Sequence, residues 1–250
     1  MSRKFLRTSD LARAVGIHPN TVRMYEEWGL IPPVERSESG YRMFTQRHLD
    51  CLRLARTIYG TEYPGRALRA LSNEVIQCAV QDDWLGALIK SQELLAAVKE
   101  ELHRAEAAAD LLEHWAQKAP ESQDEKPLAI REVVKLLGVS HDVIRNWERN
   151  GLITIRRNPY NNYRLFKRKD IERLQIIRSL STAGYSHMAI LRMFIELDRG
   201  RTSNLKQVLD TPRADEDIFM AADHWLTTLH LQEEMAQGVI KMIEEKIAFS

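Results

Sequence analysis

The sequence predicts a mainly α-helical chain. Two winged helix-turn-helix modules, with small β-hairpin wings, are each followed by a long helix, and the two long helices pair as an intramolecular antiparallel coiled coil. Three observations predict this: an internal repeat, the helix punctuation inside each copy, and a long proline-free heptad pattern after the first copy. Sliding the chain by 122 residues brings LARAVGIHPNTVRMYEEWGLI, from Leu11, onto VVKLLGVSHDVIRNWERNGLI, from Val133. Gly16 falls on Gly138, Arg23 on Arg145 and Glu26 on Glu148. Without a gap, Tyr41-Arg42-x-Phe44 falls on Tyr163-Arg164-x-Phe166, and Leu52, Arg56 and Tyr63 meet Leu174, Arg178 and Tyr185. Register kept this far marks a duplicated module.

Each element has a local cause. Thr8-Ser9-Asp10 offers capping side chains, Leu11, Ala14 and Val15 fall on one face, and Gly16 supplies a stop. A second short helix runs from about Pro19 to Trp28, with proline in its first turn and Gly29 closing it. Val22 and Tyr25 lie three apart, so one flank packs inward. Pro32-Pro33, a polar stretch with Ser39-Gly40, and Tyr41, Met43 and Phe44 then read as a hairpin wing. A further helix carries Leu49, Leu52, Ile58 and Cys51 up to a turn near Pro64-Gly65. From residue 82 to about 117, Leu88, Leu95, Leu102, Ala109 and Ala116 repeat every seven residues. Trp84, Val98, Ala105 and Leu112 fall on the alternate step. At about 1.5 Å per residue this helix runs roughly 50 Å, and sustained heptads predict a coiled coil. The later segment holds Ala222, Trp225, Leu229, Ala236, Val239 and Ile243, interrupted by Gln232 and Lys246. Two amphipathic helices in a local bundle are the alternative. The expected organisation is module one at 1–75, long helix one at 82–117, linker at 118–126, module two at 127–200 and long helix two at 213–248.

Composition excludes several classes. The 250 residues are 44% hydrophobic and 28% charged, an ordinary globular balance. No apolar run approaches the ~18 residues of a membrane span, and the start lacks a secretory apolar region, which predicts a cytoplasmic protein. Two cysteines exclude a disulfide framework and a Cys-rich zinc site. The eight histidines (18, 48, 103, 114, 141, 187, 224, 230) form no ligand pair with a carboxylate motif. No nucleophile elbow, P-loop, zinc-protease or dinucleotide signature is present. Neither an enzyme, a metal site nor a cofactor is expected. The net charge of +1 hides a pattern. Residues 1–80 carry four excess cations, 81–126 six excess anions, 127–206 nine excess cations and 207–250 six excess anions. Two basic modules suit a polyanion, which needs clustered cations rather than a basic average.

The order of helix-turn-helix, Gly-Leu-Ile, polar loop, Tyr-Arg-x-Phe and amphipathic helix resembles the DNA-binding domain of the MerR family of bacterial transcription regulators. GIHPNTVRMYEEWGLIPP with SGYRMF carries the resemblance in copy one, and GVSHDVIRNWERNGLI with NNYRLF in copy two. Copy two departs where Val143 replaces Thr21, Ile130 replaces Thr8 and Asn161-Asn162 replace Ser-Gly. The resemblance implies a partner in double-stranded promoter DNA, a nucleoid location, and activity by distorting a promoter so that RNA polymerase can engage it. It also implies paired long helices. Here the linker of about ten residues reaches only ~35 Å, so the second module is expected beside the end of the first long helix, with one chain acting as its own pseudo-dimer. The alternatives are an intermolecular dimer with four modules, or an architectural adaptor that docks another protein through its acidic helices.

On this reading His18, Asn20, Thr21 and Arg23 face DNA in module one, and Ser140, His141 and Arg145 in module two. Asp142 is expected to cap its helix, with acceptance from a cytosine amino group the alternative. Arg36, Arg156 and Arg157 in the wings, and Tyr41, Arg42, Tyr163 and Arg164 on the return strands, are candidate backbone contacts. The resemblance adds Tyr25 and, by position, Trp147 as phosphate contacts, with core packing the alternative for both. Glu26 and Glu148 are expected to orient a neighbouring arginine. Lys167, in the run Lys167-Arg168-Lys169, is either a backbone contact or part of a solvated face. Trp84, Trp115, Phe219 and Trp225 are candidates for an apolar effector pocket, with packing between coil and module the alternative.

Overall fold

A computed structural model describes residues 5–62, 64–117, 126–212 and 221–249. The chain forms two compact units, Met1–Glu100 with Leu229–Ser250, and Glu101–Thr228. Among the described residues no helix is long and apolar enough to cross a membrane.

Unit one holds α1 (Thr8–Ala14), α2 (Pro19–Glu27), β1 (Glu35–Arg36), β2 (Arg42–Met43), α3 (Gln46–Tyr59) and α4 (Arg66–Val80). It also holds the first part of α5 (Trp84–Ala116) and most of α11 (Trp225–Ala248). β1 and β2 pair antiparallel, with Glu35 opposite Met43 and Arg36 opposite Arg42. Unit two holds α6 (Ile130–Leu137), α7 (His141–Arg149), α8 (Arg168–Thr182), α9 (His187–Asp198), α10 (Leu205–Asp210) and a 3-10 turn at Ala221–His224. The 122-residue repeat therefore carries α1 onto α6, α2 onto α7 and α3 onto α8.

Each module closes around one phenylalanine. The N–H of Leu6 donates to Phe44 O at 2.7 Å, and that of Leu128 to Phe166 O at 2.8 Å. Phe44 and Phe166 are wholly buried, each contributing about 1.5–3 kcal/mol of transfer free energy. The segment before each first helix is thus pinned to the end of the wing by a single antiparallel bridge. The wing of copy two is reduced to a single bridge, Arg157 with Arg164. In copy one the Ser37 N–H donates to Tyr41 O at 2.8 Å. Pro159 stands at that position and has no N–H, so the closing bond moves back one residue, from Asn158 N to Tyr163 O at 2.8 Å.

The helix starts differ from the sequence expectation in a consistent way. Arg7, not Thr8 or Ser9, is the N-cap residue of α1, and its N–H donates to Asp10 Oδ2 at 2.9 Å. In copy two Glu132 accepts from Ala129 N at 2.7 Å, so this cap is made without a hydroxyl at the position of Thr8. The carboxylate at the third helical position does the capping. On α8, Asp170 accepts from Lys167 N at 2.9 Å. On α3 the same position is His48, whose Nδ1 accepts from Thr45 N at 3.0 Å while its Nε2–H donates to Pro33 O at 3.3 Å.

The stripe of α5 keeps the expected Val98, Ala105, Ala109 and Leu112 but shifts by one residue along its other line, and on α11 the expected Trp225, Leu229, Ala236, Val239 and Ile243 are buried. Ala87, Ser91, Leu94 and Val98 are buried in unit one, and Ala105, Ala109 and Leu112 in unit two. Leu88, Leu95 and Leu102 are half-buried flanks. Adjacent apolar pairs such as Ala87-Leu88 and Leu94-Leu95 leave the stripe ambiguous by one residue, or 100° of rotation. Ser91 fits the seam because its hydroxyl bonds to Leu88 O at 2.7 Å. Gln232 does not interrupt the stripe of α11 either. It is buried, and its Nε2 donates to Thr61 Oγ1 and Glu62 O, each at 2.9 Å. Within unit one, Lys99 Nζ lies 3.8 Å from Glu233 Oε1, and Lys246 Nζ lies 5.7 Å from the Trp84 ring centroid. Position falls along α11 as it rises along α5. In unit two, Trp225 Nε1 donates to Ala183 O at 2.8 Å, and Tyr185 Oη to Ala105 O at 3.1 Å. Ala183 is the repeat counterpart of Thr61, so α11 seals the same turn in both copies.

Two predictions follow from these constraints. Gly138 ends α6 at φ 62° with no clash awaiting a Cβ, so Gly138→Ala should lower stability by about 1–2 kcal/mol through backbone strain alone, read by urea denaturation. Burial, the largest influence, holds the His48 pKa below its ordinary 6.5, although the Pro33 carbonyl pulls it back up. The neutral ring is the capping form, so its contribution is full above pH 6.5 and is lost as pH falls through the lowered pKa. His48→Gln keeps an acceptor and removes the titration. The drop in melting temperature between about pH 7.5 and about pH 5 should narrow in this variant.

Candidate nucleic-acid interface

The second helix of each module is presented by its inward flank. Val22 and Tyr25 of α2, and Ile144 and Trp147 of α7, are buried. Residues three apart share a face, so the polar residues between them must point outward. His18 is the N-cap of α2, its Nδ1 accepting from Asn20 N at 3.2 Å. Asn20 and Arg23 are exposed, and Arg23 Nη1 donates to Asn20 Oδ1 at 3.4 Å. Thr21 is half-buried. In copy two Ser140 is the N-cap, its Oγ accepting from Val143 N at 3.3 Å, and His141 is exposed. Asp142 therefore does not cap the helix. It receives Arg145 Nη1 at 3.3 Å, as Asn20 receives Arg23.

Tyr25 and Trp147 are buried, as the packing alternative has it, and Tyr25 stacks on Trp28 and meets Tyr59 edge-on. Burial of both rings follows from their place on the inward flank.

The wing is fixed to the second helix of each module by one ion pair, found twice. Arg42 Nε donates to Glu26 Oε2 at 2.5 Å. Arg164 donates to Glu148 Oε2 from Nε at 2.9 Å and from Nη2 at 2.6 Å. Both arginine side chains are only 20% exposed, so they brace the wing first and can offer a phosphate only their remaining N–H groups. Arg157 also approaches Glu148, at 3.9 Å. Arg36 is exposed, with Nη1 3.4 Å from Gly40 O, and Arg156, Tyr41, Tyr163 and Lys167 are exposed. Each module thus joins an exposed helix start, a braced wing and outward cations, the parts needed to meet base edges and phosphates together. Sequence reasoning missed Tyr160, which stands exposed at the tip of the second wing, and the pairing of Asp142 with Arg145. The Asn20–Asp142 correspondence in the repeat was the available signal for the second.

The described candidate effector residues are spread apart. Trp84 lines a cavity of about 490 Å³ in unit one with Leu54, Met242 and Phe249. Trp115 lines one of about 740 Å³ in unit two with Leu111 and Arg178. Trp225 is buried over Gly184, where an added Cβ would lie 2.6 Å from its Nε1. Phe219 lies outside the described residues. Burial pushes the Cys51 thiol up to about 12 and raises that of Cys78, leaving little thiolate at neutral pH. Among the described residues no group of three or more His, Cys, Asp or Glu is placed to hold a metal ion.

Comparison with known proteins decides the family. The model of the MerR HTH family regulatory protein matches twice, at residues 6–71 and 128–196. The chain belongs to the MerR family. Its members are DNA-binding transcription regulators, not enzymes. The HTH-type transcriptional regulator CueR of Escherichia coli O6:H1 is 47% identical over 51 residues, 20% of this chain and 38% of that protein. CueR of Vibrio cholerae serotype O1 is 32% identical over 106 residues, 39% of this chain and 76% of the relative. The mercuric resistance operon regulatory protein of Bacillus cereus is 48% identical over 46 residues, 18% of this chain and 35% of that protein. The chain thus spans well under half the length of the E. coli CueR and Bacillus cereus relatives. No solved structure matches.

If the brace acts as a unit, Glu148→Ala and Arg164→Ala should be non-additive. A double-mutant cycle read by urea denaturation is expected to give a coupling of about 1–2 kcal/mol, since the pair is charge-assisted and part-buried.

Proposed function

We propose that this chain is a sequence-specific transcription regulator that binds a quasi-palindromic promoter operator as a single-chain pseudo-dimer and distorts it for RNA polymerase. The observation that carries this reading is the repeated reading head: Arg23 and Arg145 lie outward at equivalent positions of α2 and α7, each beside a wing braced by Glu26 or Glu148. Two heads on one polypeptide suit two half-sites. The descending order of contacts between α5 and α11 in unit one supports pairing of the long helices within the chain as an antiparallel coiled coil. Distortion of the duplex draws specificity from deformability as well as from base contacts.

Selection from a random duplex pool, followed by chain stoichiometry on the winner, tests the reading. One chain on a duplex with two half-sites supports it. Two chains on that duplex would mean four modules and another assembly. Protection of many unrelated sites, in place of one promoter site, would indicate an architectural protein. On the selected duplex, Arg23→Ala and Arg145→Ala are each expected to weaken binding by about 1–3 kcal/mol, and unchanged affinity for both would remove them from the interface.

A further inference from the structure

The exact register of the repeat allows the two heads to be compared atom by atom, and they are not equivalent. Arg23 is held by the neutral amide of Asn20, whereas Arg145 is held by the carboxylate of Asp142. The Asp142 side chain is 87% exposed, so it sets an open negative charge at the helix start that a duplex must approach. It also neutralises part of the guanidinium beside it. The Thr21 hydroxyl is replaced by Val143, which has no hydrogen bond to offer.

The wings differ in the opposite sense. Residues 34–42 hold Glu35 and Glu38 beside Arg36 and Arg42, whereas residues 156–164 hold Arg156, Arg157 and Arg164 and no acid. Tyr160 replaces Glu38 and is 96% exposed. The tip that carries it is held by its own side chains. Asn158 Oδ1 accepts from Tyr160 N at 2.9 Å, Asn161 Oδ1 accepts from Tyr163 N at 3.1 Å, and Asn162 sits at φ 58°. Glu148 gathers Arg157 as well as Arg164, while the counterpart of Arg157 in copy one is the acid Glu35.

We infer that the two modules divide the work of binding, module one reading bases and module two serving as a sequence-tolerant anchor on the phosphate backbone. This rests on the regulator reading above and assigns the roles within it. In module one, His18, Asn20, Thr21 and Arg23 discriminate. In module two, the wing residues Arg156, Arg157, Tyr160 and Tyr163 grip phosphate and sugar, which carry no sequence information directly. Cations on phosphates release counterions, so the anchor makes binding steeply dependent on salt. The discriminating helix spends its contacts on bases.

The test uses the full chain and the selected duplex, with anisotropy titrations at several salt concentrations and single base pairs changed in either half-site. The half-site of module one is the one whose discrimination Arg23→Ala removes. Changes there should weaken binding by about tenfold or more, and changes in the other half-site by less than about threefold. The double variant Arg156→Ala/Arg157→Ala should weaken binding on every duplex alike and make the salt slope shallower by about two. Asp142→Asn should tighten binding on all duplexes. Equal penalties in the two half-sites, or an unchanged salt slope in the double variant, would overturn the division. So would a loss in Asp142→Asn confined to one base pair, because Asp142 would then be accepting from a cytosine amino group. Failure to select any preferred duplex would instead overturn the regulator reading itself.

Discussion

The contact between a glutamate on the second helix of each module and an arginine on the return strand of the wing governs how each module can work. A wing of two-residue strands has too little ladder to hold its own direction. Phe44 and Phe166 anchor its base in the core, but its angle to α2 or α7 is set by Glu26 with Arg42 and by Glu148 with Arg164. Part-buried ion pairs add little net stability, because desolvation offsets much of their attraction. Their value here is geometric: charge-assisted hydrogen bonds have narrow preferred directions, so helix and wing reach a nucleic acid as one rigid surface.

The long helices act on these modules more closely than a remote coil would. α11 places Gln232 on the turn after α3 and Trp225 on the equivalent turn after α8, each supplying an N–H to a backbone carbonyl that follows a helix end. Such carbonyls have no intrahelical partner and need one when buried. Tyr185 does the reverse, carrying a hydroxyl from module two to the backbone of α5. Burial raises its pKa well above the ordinary phenol value of 10, so this hydrogen bond keeps its donor at any physiological pH. Repacking of a long helix would be felt directly at the end of the third helix of its module.

Duplication frees the two heads to diverge. Two chains of a homodimer carry the same side chains, so any change appears in both half-sites. In a tandem chain Asn20 and Asp142, or Glu38 and Tyr160, are separate positions. The capping pairs show how far substitution can go while the architecture holds. Asp10 and Glu132 perform one task with carboxylates of different length, and His48 and Asp170 perform another with different chemistry.

The sequence by itself settled the elements and their repetition. Local signals such as glycine stops, proline at a first turn and apolar spacing act over a few residues, and an ungapped repeat doubles each of them. It also identified Arg23, Arg145 and the wing arginines as outward candidates, and left Tyr25 and Trp147 open between core and interface. The tertiary structure decided what depends on distant neighbours. It put both aromatic rings in the core and assigned Arg42 and Arg164 to glutamates 16 residues away. It turned one line of the α5 stripe by one residue onto Ala87 and Leu94, and brought Gln232 into the buried stripe through partners some 170 residues distant. Periodicity marks a helical face only to within a residue when apolar neighbours adjoin. A polar residue reads as an interruption until the group that satisfies its hydrogen bonds is known, and that group is supplied by the fold.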